Sequence, residues 1–491
     1  MKILLIEPPF ERFQEIKRGF FPLGLTSVGT YLRKQGHEVA VYDAEVGSEV
    51  KVVTYAEAPH SYEKFLQGLA NPDHHIWREV EARLKDFAPQ VLGISCPTVK
   101  YESALRIARR SKRLFPQVPV IFGGCHPSAL PDPLLKRPEV DYAIRGEGEL
   151  TVAELLVAIE HKTGFDKIDG LSYKTQDGRI IHNPPRQLIP DLNQLPHPAR
   201  DLLLTAKSYP AEDMGLIMGS RGCPFNCSYC ASNIMWQRKV RYRSVEHILA
   251  EIKEVQQRYE TCQFSFEDDS FTTNAKLIGA FCQEVKAQGL KINWSAITRI
   301  NLLTDQMIWQ MQEAGCNHIR VGIESGSAKI LKDTNKGLTL DDMRRGAGIL
   351  HKHGMYWSAY FMIGLPTETE EDIKATIDFL HEIAPDYATL SIFTPYPGTE
   401  EFDQLRKMGK VSEDLDWSRF SHASPFNNFA LQIDKQRFAQ LANEAAHAVD
   451  KHNSHFMRLL KRAKAKGAVY IQKPGELRKD IQDYLTWKKQ L

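Results

Sequence analysis

Short apolar runs alternate with amphipathic segments along the first 150 residues. The runs "KILLIEPP", "HEVAVYDAE", "PQVLGISCP", "VPVIFGGCHP" and "DYAIRGEGE" have the composition of buried strands, while "PLGLTSVGTYLRKQG", "YESALRIARRSKRLF" and "LTVAELLVAIEH" carry apolar residues at helical spacing. Strands separated by helices indicate a parallel sheet that is covered on both faces. We therefore predict a doubly wound α/β domain over residues 1–160, with ligands beyond the carboxyl ends of its strands.

The pattern changes after this domain and then returns. Two strand-like runs flank Asp177 and Gly178, a hairpin signal, and a proline-rich segment follows, so we predict a hairpin and linker over residues 161–205. From "MGLIMGSRGC" to "YATLSIFTPYPGT", strands and helices alternate in about six units, which predicts a partial (β/α)6 barrel over residues 206–400 with its chemistry at the carboxyl ends of the strands. Amphipathic segments predict a small helical region over residues 401–491.

Composition narrows the class of protein only slightly. The chain has 491 residues, with 63 Lys and Arg against 61 Asp and Glu, a net charge of +2. Neither nucleic acid nor an anionic membrane is therefore expected as the main partner. The start "MKILLIEPPF" lacks the features of a secretory signal, and no stretch approaches the roughly 18 uninterrupted apolar residues of a membrane span. We expect a cytoplasmic protein.

Three cysteines cluster in "RGCPFNCSYC". Cys223, Cys227 and Cys230 lie within eight positions, and the chain has only five other cysteines. A structural zinc site needs four ligands, and no second pair lies nearby. Three thiolates suit an iron–sulfur cluster in which one iron keeps an open position for a substrate or cosubstrate. The alternative, three unrelated cysteines on a loop, is disfavoured by the barrel pattern that follows them.

The spacing C-x-x-x-C-x-x-C, with Tyr229 just before the last cysteine, resembles the signature of the radical S-adenosylmethionine (SAM) superfamily. The resemblance implies that the three thiolates hold a 4Fe–4S cluster whose unique iron chelates the amino and carboxylate groups of SAM. It also implies one-electron cleavage of SAM to a 5'-deoxyadenosyl radical. The segments "FEDDSF", "TRIN", "VGIESGS" and "FMIGLPTET" resemble the SAM contacts of that family. They assign SAM binding to Tyr229, Glu267, Asp268, Arg299, Glu324, Ser325 and Ile363.

The N-terminal domain resembles the Rossmann-like cobalamin-binding domain that precedes many radical SAM barrels. The resemblance runs through "ISCPTV", "FGGCHPS" and "IRGEGE" and implies cobalamin contacts from Pro9, Ser95, Thr98, Gly123, Gly124, His126, Gly146 and Glu147. The motif Asp-x-His-x-x-Gly, which supplies a histidine to cobalt in many cobalamin proteins, is missing after the first strand, where the chain reads "EPPFERFQE". As a metal ligand His126 is not favoured, because a turn histidine beside a proline is more often a hydrogen-bonding loop residue.

Together these resemblances imply a cobalamin-dependent radical SAM methyltransferase, which methylates an unactivated carbon using methylcobalamin and the deoxyadenosyl radical. An electron donor such as flavodoxin or ferredoxin is expected as partner, and the substrate class, whether a lipid, tetrapyrrole, small natural product or peptide side chain, stays open. Trp417, Phe420 and Phe426 are candidates either for shaping the substrate or for packing between domains.

Three alternatives remain. The first is radical chemistry without methylation, such as cyclisation, rearrangement or oxidation. The second is a methylthiotransferase, which would need three further cysteines in the N-terminal domain, where only Cys96 and Cys125 occur. The third is a non-catalytic metal- or cobalamin-binding module, which the SAM contact segments disfavour.

Overall fold

The computed structural model describes residues 1–16, 21–47, 53–175, 177–424 and 426–465, and the single positions 467, 470, 477, 478, 481, 482, 484 and 485. The strands are β1 (Lys2–Glu7), β2 (Glu38–Asp43), β3 (Val91–Ser95), β4 (Val120–Gly123), β5 (Tyr142–Ile144), β6 (Leu171–Lys174), β7 (Ile180–His182), β8 (Leu216–Ile217), β9 (Ser220–Arg221), β10 (Arg241–Tyr242), β11 (Gln263–Phe266), β12 (Asn293–Thr298), β13 (Cys316–Glu324), β14 (Tyr356–Ile363) and β15 (Tyr387–Ile392).

The helices are α1 (Leu23–Lys34), α2 (Ala58–Ala70), α3 (His75–Phe87), α4 (Tyr101–Leu114), α5 (Cys125–Ala129), α6 (Pro131–Leu135), α7 (Gly148–His161), α8 (Ser232–Trp236), α9 (Val245–Tyr259), α10 (Ala275–Ala287), α11 (Asp305–Glu313), α12 (Ala328–Asp333), α13 (Leu340–Lys352), α14 (Glu370–Ile383), α15 (Glu400–Lys407), α16 (Lys435–Asn453) and α17 (Phe456–Ala465). No helix of these described residues is both long and apolar enough to cross a membrane.

The N-terminal sheet has seven strands in the order β2-β1-β3-β4-β5-β6-β7. The first five are parallel, which confirms the predicted doubly wound sheet. The predicted hairpin forms, but β6 pairs antiparallel with β5, so it extends the sheet instead of lying in a linker. The physical reason is that Leu171 of β6 is fully buried and covers the sheet edge beyond β5.

The second sheet is a partial (β/α)6 barrel, as predicted. Its six parallel strands run in the order β15-β14-β13-β12-β11-β8, so the barrel is open between β15 and β8. Outward-facing apolar side chains pack under the surrounding helices, and inward-facing positions are largely polar, as the alternating burial of β13 illustrates. Thr339 and Thr369 begin α13 and α14 with capping boxes, which fixes where these helices start above the sheet.

The C-terminal helix α16 ties the two domains together. Its Phe438 packs in one cluster with Ile363 of β14, and the Asn453 side chain bonds both backbone groups of Ala388 in β15. Near its end, Asp450 accepts the backbone N–H groups of Tyr55 and Ala56, each at 3.0 Å. In the predicted C-terminal region α16 is followed by α17, and most of the chain beyond Ala465 lies outside the described residues.

Two of the three aromatic candidates for substrate shaping lie in a packing seam. Trp417 is 2% exposed, and its ring centroid lies 5.0 Å from that of His126 and 5.1 Å from that of Phe420. The seam therefore joins the C-terminal segment to the N-terminal domain. Phe426 is exposed and stacks under the Arg419 guanidinium at 4.9 Å.

A buried ion triad holds the connector between the domains. The Arg200 guanidinium donates to Glu251 at 2.8 Å and to the carbonyl oxygens of Met214 and Leu216, while Arg243 donates to the other oxygen of Glu251 at 2.6 Å. All three charged side chains are buried. Removing the carboxylate would leave two arginines without their counter-charge in the interior.

We expect Glu251→Gln to lower the free energy of unfolding by about 3 kcal/mol or more, because two buried cations lose their partner. Denaturant midpoints of the wild type and the variant would measure the loss. The matched control is Glu254→Gln on the same helix, whose carboxylate is 43% exposed and which should cost no more than about 1 kcal/mol. Equal losses in the two variants would contradict this account of the triad.

Candidate active site

The three clustered cysteines lie on a closed loop, residues 222–240, which we call the cysteine loop. Strands β9 and β10 pair antiparallel at its base, with Arg221 directly opposite Arg241. Gly222 begins the loop at φ +103°, and a Cβ there would come within 2.1 Å of the Lys239 carbonyl oxygen. Only glycine therefore fits where the two ends of the loop meet.

The cysteine cavity is a small space of about 50 Å³ lined by Cys223, Cys227 and Cys230. Burial raises the pKa of the Cys223 thiol, and it raises that of Cys230 to about 11. Among the described residues no three His, Cys, Asp or Glu side chains converge on the position of a single metal ion. A cluster of several irons binds each thiolate at a different iron, so the sulfurs need only face one cavity, as they do here. The donor set fits a 4Fe–4S cluster with one iron left open.

Neighbouring elements hold the cysteine loop from outside. The Ser228 backbone N–H donates to the Thr334 carbonyl at 3.0 Å, and the Ser228 hydroxyl donates to Glu401 at the start of α15 at 2.7 Å. The Asn335 side chain donates to the Asn226 carbonyl at 3.0 Å. The loop is thus fixed between the α12–α13 connection and α15.

Arg299, at the carboxyl end of β12, lies directly against the cysteine loop. Its guanidinium carbon is 3.7 Å from the centre of the Phe225 ring, and its Nη1 is 3.9 Å from the Cys227 sulfur. Nη2 donates to the carbonyl oxygens of Lys336 and Gly337, and the buried Nε has no hydrogen-bond partner among the described residues. This places one permanent cation beside the thiol donors, where an anionic ligand such as a carboxylate would be stabilised.

Glu324 and Tyr229 meet at a lysine that the sequence did not single out. Lys336 Nζ donates to Glu324 Oε1 at 2.8 Å and to the Tyr229 hydroxyl at 3.2 Å. Glu324 adopts φ +68°, a left-handed conformation that is unusual for a glutamate and aims its side chain across the end of β13. Tyr229, Arg299 and Glu324, which were all predicted to bind SAM, therefore meet in one group of contacts around Lys336.

The first two of the three acidic residues in "FEDDSF" have different partners. Glu267 pairs with Arg320 inside the barrel at 2.8 Å. Asp268 is buried and accepts the Gly219 backbone N–H at 2.9 Å and the Ser220 hydroxyl, and burial raises its pKa to about 6. Asp268 thereby holds the strand that enters the cysteine loop.

The other two predicted SAM residues make internal contacts through their side chains. The Ser325 hydroxyl is fully buried, lies 3.0 Å from that of Thr376 and accepts the Ser327 backbone N–H at 3.1 Å. The Ile363 side chain packs in the cluster with Phe438. Any contact of Ser325 or Ile363 with SAM must therefore use backbone atoms.

A second, larger space, which we call the interdomain cavity, lies at the carboxyl edge of the N-terminal sheet. It measures about 300 Å³ and is mainly apolar. Five of the eight predicted cobalamin residues line it, namely Ser95, Gly123, Gly124, Gly146 and Glu147. Gly124 and Gly146 have φ of +112° and +79°, and a Cβ at Gly146 would meet nothing within 4 Å and would project into free space. The open, glycine-lined slot fits the tail of a large planar cofactor that lies on the sheet edge.

The remaining three predicted cobalamin residues, Pro9, Thr98 and His126, are not part of this wall. His126 is fully buried, with Nδ1 3.2 Å from the Thr98 hydroxyl and its ring between those of Tyr101 and Trp417. Burial lowers the pKa of His126 to about 3, so the ring is neutral. His126 lies in the short helix α5 and not in a loop, and it is packed there under the C-terminal aromatic seam.

The contacts that join the walls of the two cavities were not predicted from the sequence. Arg221 Nη1 and Nη2 donate to Glu147 and Glu149 of the N-terminal domain, each at 2.6 Å, and Arg241 donates to the other oxygen of Glu147 at 2.7 Å. These partners lie more than 70 residues apart along the chain. Ser27 adds a hydrogen bond to Glu149 at 2.8 Å. The only local signal was the position of Arg221 next to the cysteine motif.

Glu368 shapes the turn after β14. Its carboxyl group accepts the backbone N–H groups of Gly364 and Leu365, while its other oxygen is buried and has no hydrogen-bond partner among the described residues. Burial raises the pKa of Glu368 from 4.5 to about 8, despite the two N–H donors. The carboxyl group is therefore protonated at neutral pH.

Comparison with known families matches both domains. A model described as the radical SAM superfamily matches residues 217–380, and one described as a B12 binding domain matches residues 14–156. A protein named as an uncharacterized methyltransferase of Pyrococcus horikoshii is 34% identical over 432 residues, which are 87% of this chain and 87% of that protein.

Two further similarities concern activity and fold. The anaerobic magnesium-protoporphyrin IX monomethyl ester cyclase of Rubrivivax gelatinosus is 26% identical over 71% of this chain and 63% of the cyclase. Among solved structures, the radical SAM methyltransferase TsrM from Kitasatospora setae, with cobalamin and a 4Fe–4S cluster bound, has a TM-score of 0.63 at 18% identity, covering 83% of this chain and 74% of TsrM. The similarity to TsrM is one of fold.

We expect Glu368→Gln to flatten the pH dependence of stability. Because the folded pKa is raised, the contribution of Glu368 is complete below pH 4.5 and is lost as the pH rises through about 8, at about 1.4 kcal/mol per pH unit between the two values. The variant stays neutral, so denaturant midpoints between pH 5 and pH 8 should fall for the wild type relative to the variant. Glu371→Gln, an exposed position at the start of α14, is the control and should follow the wild type. Parallel profiles of wild type and Glu368→Gln would contradict the prediction.

Proposed function

Because this chain belongs to the radical SAM superfamily and carries a B12-binding domain, we propose that it methylates an unactivated carbon of its substrate. The membership confirms the family predicted from the cysteine spacing. The chain is a radical SAM enzyme whose cofactors are a 4Fe–4S cluster, SAM and cobalamin. The observation that carries the proposal is the adjacency of the cysteine cavity and the interdomain cavity, which α8 separates.

Each part of the site has residues suited to one cofactor. We assign the cluster to Cys223, Cys227 and Cys230, and SAM to the space bordered by Tyr229, Arg299, Glu324 and Lys336. We assign cobalamin to the interdomain cavity, with Ser95 and the three glycines Gly123, Gly124 and Gly146 at the sheet edge. When bound, these groups supply one-electron cleavage of SAM and a methyl group that a carbon radical can take.

The protein side chains position the reactants and exclude water. Arg299 offers a fixed cation to the carboxylate of SAM, and its contact with Phe225 holds the guanidinium against the cysteine loop. Met235 and Trp236 give the interdomain cavity an apolar wall on the side of the cysteine loop. A radical intermediate needs such a dry, pre-formed space, because it would otherwise undergo side reactions with water or with mobile side chains.

Methyl transfer is favoured over the other radical reactions by a relative that matches 87% of the chain. That relative, at 34% identity, is named a methyltransferase, whereas the cyclase is 26% identical over a smaller part of the chain. The cyclase relative keeps radical chemistry without methylation as the second candidate. A product that gains one methyl group separates the first candidate from the second. The proposal includes a one-electron donor, such as a flavodoxin or ferredoxin, because SAM cleavage consumes an electron.

The test uses protein that is purified without oxygen, reconstituted with iron, sulfide and hydroxocobalamin, reduced, and given SAM with a deuterated methyl group. We expect the wild type to release 5'-deoxyadenosine and to transfer the deuterated methyl group to cobalamin. Cys227→Ala should do neither, because one iron loses its thiolate. The matched control is Cys262→Ala, a half-buried cysteine that does not line the cysteine cavity. Both products should form in that variant.

Two results would contradict the proposal. Release of deoxyadenosine by Cys227→Ala at the wild-type rate would remove the cluster assignment. Deoxyadenosine without any label on cobalamin, from wild type with cobalamin bound, would remove methyl transfer and favour the non-methylating reaction.

A further inference from the structure

The cysteine cavity and the interdomain cavity share one thin wall, the five-residue helix α8. Ser232 and Asn233 of this helix line the cysteine cavity, whereas Met235 and Trp236 line the interdomain cavity. A shift of α8 that reshapes one cavity must therefore reshape the other. The contacts that hold α8 in place therefore influence the shape of both cavities.

The base of the cysteine loop contains an electrostatic conflict. Arg221 and Arg241 lie directly opposite each other in the two-residue pairing of β9 with β10, and like charges in such a position repel. Both guanidinium groups also lie near the Trp236 ring, with their carbons 5.7 and 5.6 Å from its centre. Closing the loop at this base therefore brings two cations together, and a counter-charge would stabilise the closed loop.

The other domain supplies that counter-charge. The Glu147 carboxylate accepts one hydrogen bond from each arginine, at 2.6 Å from Arg221 and 2.7 Å from Arg241. Its side chain is 2% exposed. Glu149 accepts a second bond from Arg221. Burial alone would raise the pKa of Glu149, but Arg221 lowers it below its usual value, which keeps the carboxylate charged.

The segment that carries these two glutamates, residues 146–149 between β5 and the first turn of α7, also lines the interdomain cavity. Gly146 precedes Glu147 and lines the cavity, and the Gly146 N–H donates to Ser128, whose hydroxyl lies 3.5 Å from the Met235 sulfur. A ligand that orders residues 146–149 thereby fixes the carboxylates that close the cysteine loop. In the same way, a ligand that orders the cysteine loop fixes the arginines and thereby orders residues 146–149.

We propose that Arg221 and Arg241 are positioning residues that act through Glu147 to couple the two cavities, so that cluster assembly and cobalamin binding favour each other. The inference rests on the proposed function, because it takes the cluster and cobalamin as the two ligands. Such coupling is reciprocal by thermodynamic linkage, and coupling between sites is commonly about 5-fold or more in affinity.

The experiment compares the dissociation constant of hydroxocobalamin for protein with and without the reconstituted cluster, by absorbance titration without oxygen. The wild type should bind cobalamin about 5-fold or more tightly when the cluster is present. Arg241→Gln should bring that ratio to about 1, because Arg241 contacts the carboxylate yet lines neither cavity. Arg241→Lys, which keeps the charge, should restore part of the coupling. The electron paramagnetic resonance signal of the reduced cluster should change on addition of cobalamin in the wild type and stay unchanged in Arg241→Gln.

The matched control is Arg200→Gln. This arginine is also buried, also pairs with a glutamate that lines the interdomain cavity, and also lies near the N-terminal domain, with its guanidinium 5.3 Å from the Phe21 ring. Unlike Arg241, it contacts no residue of the cysteine loop, and it lines neither cavity itself. Arg200→Gln should lose stability and keep the wild-type ratio. A general weakening of the domain interface would instead change both variants alike.

Three outcomes overturn the inference. They are equal affinities with and without the cluster in the wild type, a wild-type ratio in Arg241→Gln, and loss of the ratio in Arg200→Gln as well. The comparison of wild-type affinities with and without the cluster tests the coupling even where a variant folds poorly. Failure of the wild type to bind cobalamin or to assemble a cluster counts against the proposed function. Binding of both cofactors with no effect of one on the other counts against the coupling alone.

Discussion

The position of the cysteine loop depends on two arginines that face each other at its base and on the buried carboxylates that separate their charges. Arg221 and Arg241 belong to the barrel, whereas Glu147 and Glu149 belong to the N-terminal domain. Neither domain can satisfy these groups alone, and an unpaired buried charge is far more costly than a paired one. The two domains are therefore joined at the point where the three cysteines enter the fold.

The rest of the site is arranged around that junction. On one side, Arg299, Glu324 and Lys336 lie against the cysteine loop, and Lys336 contacts Tyr229 of that loop. In the proposed assignment these charges suit the zwitterionic amino acid part of SAM. On the other side, small residues at the carboxyl ends of β3 to β5 leave a slot that is apolar along its depth. The thin helix α8 between them means that chemistry started in one cavity has a short path to the other.

The sequence predicted the elements and the donors but not their pairings. Alternation of apolar runs with helical segments was sufficient for both sheets, and the cysteine spacing was sufficient to propose the cluster ligands, because these signals are local. Contacts such as that of Arg221 with Glu147 could not be predicted, because the two residues are far apart in the sequence. In the sequence alone, each looks like an ordinary charged residue on the protein surface. For the same reason the burial of His126 under Trp417, and the addition of β6 to the sheet edge, were visible only in the fold.

The cofactor content of the protein tests the central claim, that one chain holds a cluster and cobalamin in adjacent cavities, most directly. After reconstitution without oxygen and removal of unbound ions and cofactor, iron, sulfide and cobalt are measured per chain. The account predicts about four irons and about one cobalt per chain. About four irons without cobalt would contradict it, because the interdomain cavity would then not be a cobalamin site.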